Sequence, residues 1–192
     1  LLMDKLSFDA RRLGEIKQDP RCMEPHLRQA DILSIDTGCI KNADGPGSFQ
    51  PNGFSGEEIC QLARYAGLGD RCSTVGIFNY APEDDPTRQA AMLIAQVVWH
   101  VAEGLSHRIK EYPLMNKPDF LEYKVQMPEG SEHITFFKSK RTDKWWMNVP
   151  YTAGDTGRVM RHHLIPCNYT DYELAASGDV PDLWWRTYRK LT

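Results

Sequence analysis

A short apolar segment that ends in an acidic residue constrains the fold more than any other feature of this sequence. Ile32, Leu33 and Ile35 form the apolar segment, and Asp36 closes it. Such a run is typical of a buried strand, and the acid marks the end at which parallel strands present polar groups. A second apolar run, at residues 73–80, follows a helix-length segment. Strands separated by helical crossovers predict an α/β fold with a parallel sheet.

Two helices are predicted around these strands. Ser55 and Glu58 form a capping-box sequence at the start of the first helix, and Gly67 is expected to end it. The second helix follows a turn at residues 81–86 and is apolar nearly all round, which predicts a largely buried helix. Its apolar residues are Met92, Leu93, Ala95, Val97, Val98 and Val101.

The chain divides into two predicted parts near residue 112. Tyr112-Pro113 follows the long helical pattern, and a proline after a helix favours a boundary. Residues 1–111 form the predicted α/β part, and residues 112–192 form a mixed β/α appendage rich in tryptophan. The predicted elements of the appendage are strands at 120–127, 134–137 and 145–149 and helices near 169–177 and 181–190.

Composition excludes several classes of protein. The chain has 192 residues, with 23 Lys+Arg, 26 Asp+Glu and a formal net charge of −3. Domains that bind nucleic acid by neutralising phosphates are usually basic, so the charge argues against that class. No apolar run reaches the ~20 residues of a membrane span. The five cysteines are scattered and include no CxxC pair, which favours a reducing, cytoplasmic compartment over a disulfide framework.

Asp36 and Asn79 are the strongest candidates for a functional site, because each follows a predicted strand. Ligands of parallel α/β sheets bind beyond the carboxyl ends of the strands. Asp36 could bind a metal ion or act as a general base, but the pattern alone favours a carboxylate that caps a turn, helped by Gly38. Asp84 and Asp85 could bind a cation, but the favoured interpretation is that they are charges at the N-terminus of the long helix.

The remaining chemical candidates are weaker. Cys39 lies near Asp36 but has no histidine close by in sequence, which favours a packed thiol over a nucleophile. His162-His163 is the only histidine pair, and neighbours on a strand point to opposite faces. Gly45-Pro46-Gly47 lacks a phosphate-loop pattern. For Trp145-Trp146 we expect one ring in a core and the other facing outward, which favours packing over a ligand site.

Four segments of the first part stand in a recognisable order and spacing. They are Asp31–Asp36, Asn52–Glu58, Ala63–Gly67 and Gly76–Pro82. Together they resemble the C-terminal half of the arginase/agmatinase/formimidoylglutamase superfamily. The second part has segments similar to those appended in formimidoylglutamase-like proteins of the Bacteroidetes lineage, so the resemblance covers nearly the whole chain. These segments are 137–147, 161–167 and 181–185.

The resemblance implies a three-layer α/β/α sandwich around a parallel sheet. Active members hydrolyse a C–N bond of a formimino or guanidino compound with two Mn²⁺ ions that bridge a hydroxide. Their ligands come from GGDH-type and DAHxD-type segments in the first half and an SxDxDxxDP segment in the second. The first two segments do not occur here. The resemblance therefore implies that this chain is part of a longer protein. We expect the 192-residue segment by itself to aggregate, because an edge of its sheet is uncovered.

Four positions depart from the family pattern. Asp36 matches the first metal ligand of the third segment, but Gly38 and Lys41 stand where its second and third aspartates belong. A glycine offers no ligand oxygen, and a lysine repels a cation. Asn79 stands where the family has a glutamate that faces the cationic group of the substrate, and Ala81 replaces the asparagine of the same turn. An amide brings no charge to such a substrate.

Two hypotheses follow from the resemblance and its departures. In the first, the chain is a ureohydrolase-like protein with a degraded manganese site, in which Asp36 is the surviving metal ligand and Asn79 lies in the substrate pocket. In the second, it is a non-catalytic relative that keeps the fold as a scaffold for assembly. The resemblance also implies a homo-oligomer and, for an active protein, a small amidine substrate.

Overall fold

The computed structural model describes residues 8–45, 50–114, 117–127, 133–150 and 164–191. Contacts among these residues divide the chain into two compact units. The first unit is Arg11–Lys110, and the second consists of the described residues of Leu1–Ala10 and Glu111–Thr192. The first unit contains a parallel sheet, and the second contains an antiparallel sheet.

The Arg11–Lys110 unit alternates helices with two strands that pair in parallel. The strands are β1 (Ile32–Asp36) and β2 (Thr74–Phe78), and the helices are α1 (Leu13–Gln18), α2 (Glu24–Gln29), α3 (Gly56–Leu68) and α4 (Gln89–Ser106). The predicted strands and the two predicted helices are therefore confirmed. Helices α1 and α2 were not predicted, because six residues are too few to establish a helical period.

One face of the β1–β2 sheet packs against helices α3 and α4. Side chains alternate along a strand, so every second residue of each strand reaches this face. These residues are Leu33, Ile35, Val75 and Ile77. Ile32 and Phe78 belong to the opposite face, where they are 67% and 54% exposed. Within the described residues the sheet thus has one covered and one open face.

Helix α3 begins where the capping-box sequence predicts. Ser55 Oγ accepts a hydrogen bond from the N–H of Glu58 over 3.2 Å, and Glu58 Oε2 accepts one from the N–H of Ser55 over 2.7 Å. The predicted end is wrong, because the helix continues through Gly67 to Leu68. Gly67 instead permits close packing on α4, since a Cβ at this position would collide with the carbonyl oxygen of Val101.

Helix α4 is more exposed than its sequence predicts. Leu93 and Val97 are buried against the sheet and α3. Other apolar residues of the same helix are 47–61% exposed, and these are Met92, Val98, Trp99 and Leu105. The expectation of a largely buried helix is wrong for the described residues. A helix that is apolar all round needs packing partners on every side, and these residues supply them on one side only.

The second unit is built on four antiparallel strands whose spatial order follows the sequence, β3-β4-β5-β6. The strands are β3 (Phe120–Gln126), β4 (His133–Ser139), β5 (Trp145–Asn148) and β6 (Leu164–Cys167), followed by helices α5 (Tyr169–Ala176) and α6 (Asp182–Leu191). This arrangement confirms the predicted mixed β/α character of the C-terminal segment.

Both tryptophans of the Trp145-Trp146 pair are buried, at 7% and 2% exposure. Trp145 stacks on Tyr172 of α5 with ring centroids 5.1 Å apart. Trp146 meets Phe120 of β3 edge-on at 5.3 Å. The expectation that one ring faces outward is therefore wrong, because aromatic residues of the same unit cover both faces of β5.

Candidate functional site

Asp36 and Asn79 meet at the carboxyl edge of the parallel sheet. Asp36 pairs with Phe78 in the register of β1 and β2, so Asn79 is the first residue beyond that edge. The side-chain Nδ2 of Asn79 donates a hydrogen bond to Oδ2 of Asp36 over 2.7 Å. The strand pairing thus joins two polar residues that are 43 positions apart in sequence.

The other oxygen of Asp36 caps the turn that follows β1. Oδ1 accepts a hydrogen bond from the backbone N–H of Gly38 over 2.8 Å, and a short 3₁₀ turn at Thr37–Cys39 begins there. This is the turn-capping role that the sequence pattern favours for Asp36. Each oxygen of the carboxylate is therefore already engaged by one donor.

Glycine at position 38 permits this conformation of Asp36. A Cβ at Gly38 would lie 3.0 Å from Oδ1 of Asp36, which is closer than ordinary van der Waals contact. Any larger residue there, including the aspartate of the family pattern, requires the Asp36 carboxylate to shift. Gly38 thus lacks a ligand oxygen and also leaves Asp36 free to cap the turn.

The Lys41 ammonium pairs with an acid that follows it in the same loop. Its Nζ lies 3.4 Å from Oδ1 of Asp44. Oδ2 of Asp44 accepts a hydrogen bond from the N–H of Gly56, the first residue of α3, over 2.8 Å. A carboxylate is favoured at that helix terminus by the helix dipole. Asp44 is thus engaged both by Lys41 and by the N-terminus of α3.

Cys39 is a poor nucleophile in this setting. Burial raises the pKa of the Cys39 thiol, and the nearby Asp36 carboxylate raises it further. The thiolate is the reactive form, so a raised pKa keeps the residue unreactive at neutral pH. Cys39 packs against the core that contains Ile35 and Ile40, in agreement with the packed-thiol interpretation.

Asp85 is buried at the start of α4 and is 2% exposed. Its Oδ2 accepts hydrogen bonds from the N–H of Ala91 over 3.0 Å and from the Tyr80 hydroxyl over 3.2 Å. Burial raises the pKa of the Asp85 carboxyl, but hydrogen bonds from backbone N–H groups and from Tyr80 lower it more, so the net pKa is lowered. This geometry agrees with the helix-terminal role.

The described residues do not fit a pair of manganese ions. Mn²⁺ is held by several carboxylate, imidazole or water ligands. Within the described ranges there is no group of three or more His, Cys, Asp or Glu side chains that could hold a metal ion. At the strand ends, Asp36 is accompanied by the Asn79 amide and by Gly38, and Lys41 pairs with Asp44. Asp84, the other acid considered for a cation, is exposed.

Sequence reasoning did not single out Asp44 and Tyr80, although each fixes a group close to the strand ends. Asp44 stands three residues after Lys41, a spacing that brings side chains together in a helical turn and that could have suggested the ion pair. Tyr80 bonds to Asp85 across an irregular turn, for which the sequence carries no comparable spacing rule.

Two of the weaker sequence candidates fall partly or wholly outside the described residues. His162-His163 lies outside them, as do the last two residues of Gly45-Pro46-Gly47.

None of the described helices combines the length and the hydropathy that crossing a membrane requires.

Comparison with known proteins gives matches among solved structures alone. No protein-family model matches the sequence, and no curated protein matches it. Formimidoylglutamase from Bacillus subtilis is 14% identical over 56% of this chain and 36% of that chain, with a TM-score of 0.51. A Mn²⁺-containing formiminoglutamase from Trypanosoma cruzi is 19% identical over 50% and 36%, with a TM-score of 0.44. Arginase from Bacillus caldovelox is 14% identical over 52% and 37%, with a TM-score of 0.47.

The match to the Bacillus subtilis protein establishes the fold. At 14% identity this match is evidence for the fold alone. The other two matches have TM-scores below 0.5 and carry no argument. The chain spans 36% of the length of that protein. The expected α/β fold of the ureohydrolase type is therefore confirmed in part: 56% of this chain shares the fold of 36% of a formimidoylglutamase.

Proposed function

We propose that this chain belongs to the arginase/agmatinase/formimidoylglutamase superfamily and that its manganese site for C–N hydrolysis is degraded. The observation that carries the proposal is the setting of Asp36. Its two oxygens receive hydrogen bonds from Asn79 and Gly38, and the second and third family ligand positions hold Gly38 and Lys41. The partial formimidoylglutamase-type fold supports the protein class, and the strand-end chemistry supports the loss.

The number of acids limits this site. Asp36 keeps lone pairs beyond the two that are hydrogen-bonded, because a carboxylate has about four acceptor positions. Two divalent ions nevertheless need several more anionic ligands to offset their charge and their lost hydration. Gly38 supplies none, and the Lys41 ammonium raises the cost of any cation nearby.

The residue that would face the substrate has also lost its negative charge relative to the family pattern. A formimino or guanidino group is cationic and binds best to a carboxylate through charge-assisted hydrogen bonds. Asn79 offers an uncharged amide whose nitrogen already donates to Asp36. Charge-assisted hydrogen bonds contribute about 1.5–3 kcal/mol each. We therefore expect such substrates to bind roughly tenfold or more weakly than to a site with a glutamate.

A scaffold for assembly is the second candidate function. The observation that favours it is the exposed apolar surface of the Arg11–Lys110 unit. Trp99 and Met92 on α4 are 61% and 59% exposed, and Ile32 on the sheet is 67% exposed. Large exposed apolar patches mark sites of association. Under this proposal the fold is kept for contact with another chain or a second copy of this one.

Calorimetric titration of Mn²⁺ into the full-length protein that carries this sequence tests the proposal. We expect no stoichiometric binding up to millimolar Mn²⁺, and no change in the titration for Asp36→Ala. The matched control is Asp31→Ala, which removes an exposed carboxylate from the start of the β1 region, where it pairs with Arg71. Binding of two Mn²⁺ ions per chain that Asp36→Ala abolishes and Asp31→Ala preserves would overturn the degraded-site proposal.

A further inference from the structure

Helix α6 has two chemically different faces. Trp184 is 9% exposed, and its indole Nε1–H donates to the carbonyl oxygen of Asn148 over 2.9 Å. Tyr188 and Leu191 pack against the same core. The neighbouring Trp185 is 49% exposed. One face of α6 therefore anchors the helix, and the other is free to present side chains to a ligand.

A cavity of about 240 Å³ lies along the exposed face of α6. The helix residues that line it are spaced three, four and seven positions apart, which places them along one side. The lining residues are Phe8, Asp9, Asp182, Trp185, Arg186, Arg189 and Lys190. Pockets for drug-sized ligands measure roughly 300–1,000 Å³, so this cavity is sized for a smaller molecule of about one ring.

Two of the three basic residues that line the cavity form ion pairs with acids of the lining, and the third does not. Nε of Arg186 lies 2.8 Å from Asp182, and Nζ of Lys190 lies 2.7 Å from Asp9. Among the described residues, no carboxylate lies within ion-pair distance of Arg189. A guanidinium presents donors that match a carboxylate or phosphate in two parallel hydrogen bonds. Arg189 therefore makes the cavity selective for an anion.

A cluster of three nearly parallel aromatic rings borders the cavity. Trp184 and Tyr188 are nearly parallel, with centroids 5.2 Å apart at an angle of 5°. The Trp185 ring lies beside both of them, 5.9 Å from Tyr188 at 19° and 6.4 Å from Trp184 at 17°. Because Trp184 is hydrogen-bonded to Asn148, its contacts with Tyr188 and Trp185 restrict the half-exposed ring of Trp185. A preorganised ring costs little entropy when a second ring packs on it.

We propose that this cavity binds a small aromatic anion, with its ring stacked on Trp185 and its carboxylate or phosphate paired with Arg189. The site lies in the second unit and uses no residue of the strand-end site. Its ligand class follows from the combination, within one small cavity, of an exposed indole and a guanidinium that no carboxylate of the described residues pairs with. Phe8 adds a second aromatic side chain to the lining.

Calorimetry or NMR titration of the full chain with benzoate and with phenyl phosphate tests this proposal. We expect saturable binding with a dissociation constant on the order of a millimolar, as suits a ligand of this size. The tighter of the two probes identifies the anionic group. Cyclohexanecarboxylate keeps the charge without the ring, and benzamide keeps the ring without the charge. Each is expected to bind about tenfold more weakly.

Variants assign the binding to this cavity. Arg189→Gln and Trp185→Leu are each expected to weaken benzoate and phenyl phosphate about tenfold. Arg141→Gln is the matched control, because Arg141 is an exposed arginine of the same unit outside the cavity lining. It is expected to leave binding unchanged. No saturation by either probe, equal binding of cyclohexanecarboxylate, or affinity that Arg189→Gln leaves intact would each overturn the proposal. Arg189→Gln keeps this test decisive even where Trp185→Leu disturbs the helix.

Discussion

The Asp36 carboxylate receives one hydrogen bond on each oxygen, from Gly38 on its own strand end and from Asn79 on the neighbouring one. The first bond is local, and a Cβ at position 38 would lie 3.0 Å from Oδ1, so a larger residue there requires a small shift of the carboxylate. The second depends on the parallel register of β1 and β2. Asp36, which matches the family pattern, and Gly38 and Asn79, which depart from it, thus form one hydrogen-bonded cluster.

Asn79 is held in the left-handed region of the backbone, with φ at 64°. Asparagine tolerates that region better than alanine, which pays about 1–2 kcal/mol there. We expect Asn79→Ala to lose both this tolerance and the bond to Asp36, and to lower the free energy of unfolding by about 2 kcal/mol. Asn79→Gly loses only the bond and is expected to cost about 1 kcal/mol. Urea denaturation of both variants measures the difference, and equal losses would contradict the backbone argument.

Asp85 gives the chain a predicted sensitivity to acid. Hydrogen bonds to its charged form outweigh burial and depress its folded pKa. A depressed folded pKa contributes stability above the unfolded value, near 3.9, and loses it as the pH falls through the folded pKa. We expect the urea concentration at the unfolding midpoint to decrease as the pH drops below about 4. In Asp85→Asn this decrease is expected to be smaller. Asp84→Asn, at the exposed neighbour, is the control, and an identical pH profile for Asp85→Asn would contradict this role.

At the scale of elements, helices α3 and α4 touch at two glycines. A Cβ at Gly104 would lie 2.5 Å from the carbonyl oxygen of Arg64, and a Cβ at Gly67 would collide with that of Val101. The side chains of Arg64 and Glu103 join the same two helices by an ion pair with a separation of 2.5 Å. Small residues at the crossing therefore set how closely the helices approach.

Gly67→Ala tests this close approach. The added methyl group meets backbone rather than a flexible side chain, so the helices must separate, and overpacking of this kind costs about 1–3 kcal/mol. Gly14→Ala is the matched control, because no described residue outside its own turn of helix α1 has an atom within 4 Å of a Cβ at Gly14. We expect Gly14→Ala to be neutral or to stabilise by up to about 1 kcal/mol. Thermal denaturation compares the two, and equal effects would contradict the packing role of Gly67.

The sequence predicted those elements whose signals are local. The Ser55–Glu58 capping box fixes the start of α3, and the apolar run before Asp36 fixes β1. The sequence could not predict Gly67 as a packing glycine, because that role depends on α4. The burial of Trp146 likewise depends on Phe120, which lies on another strand. At the site, the strand ends predicted that Asp36 and Asn79 are neighbours, whereas their hydrogen bond needed the side-chain geometry.

At the scale of the whole molecule, the Arg11–Lys110 unit leaves apolar surface uncovered. Parallel sheets occur almost always with both faces covered. Here Ile32 and Phe78 on the open face of the sheet are more than half exposed, as is Trp99 on α4. The partial match to a formimidoylglutamase accords with this, because the chain corresponds to 36% of that protein. We propose that additional polypeptide, such as a second copy, covers this surface in solution.

We therefore expect the 192-residue chain to self-associate at micromolar concentration. Light scattering coupled to size-exclusion chromatography measures the mass as a function of concentration. Trp99→Lys is expected to shift the distribution toward monomer, because it places a charge on the apolar surface. Gln96→Lys adds the same charge at an exposed polar position of α4 and is expected to have a smaller effect. A mass that stays monomeric at every concentration would contradict the association.

Anomalous diffraction at the manganese absorption edge tests the central claim most directly. Crystals of the full-length protein grown with millimolar Mn²⁺ place any bound ion relative to the end of β1. The degraded-site account predicts no pair of manganese peaks beside Asp36, Gly38 and Asn79. Two well-occupied peaks at that strand end, with Asp36 among their ligands, would contradict it.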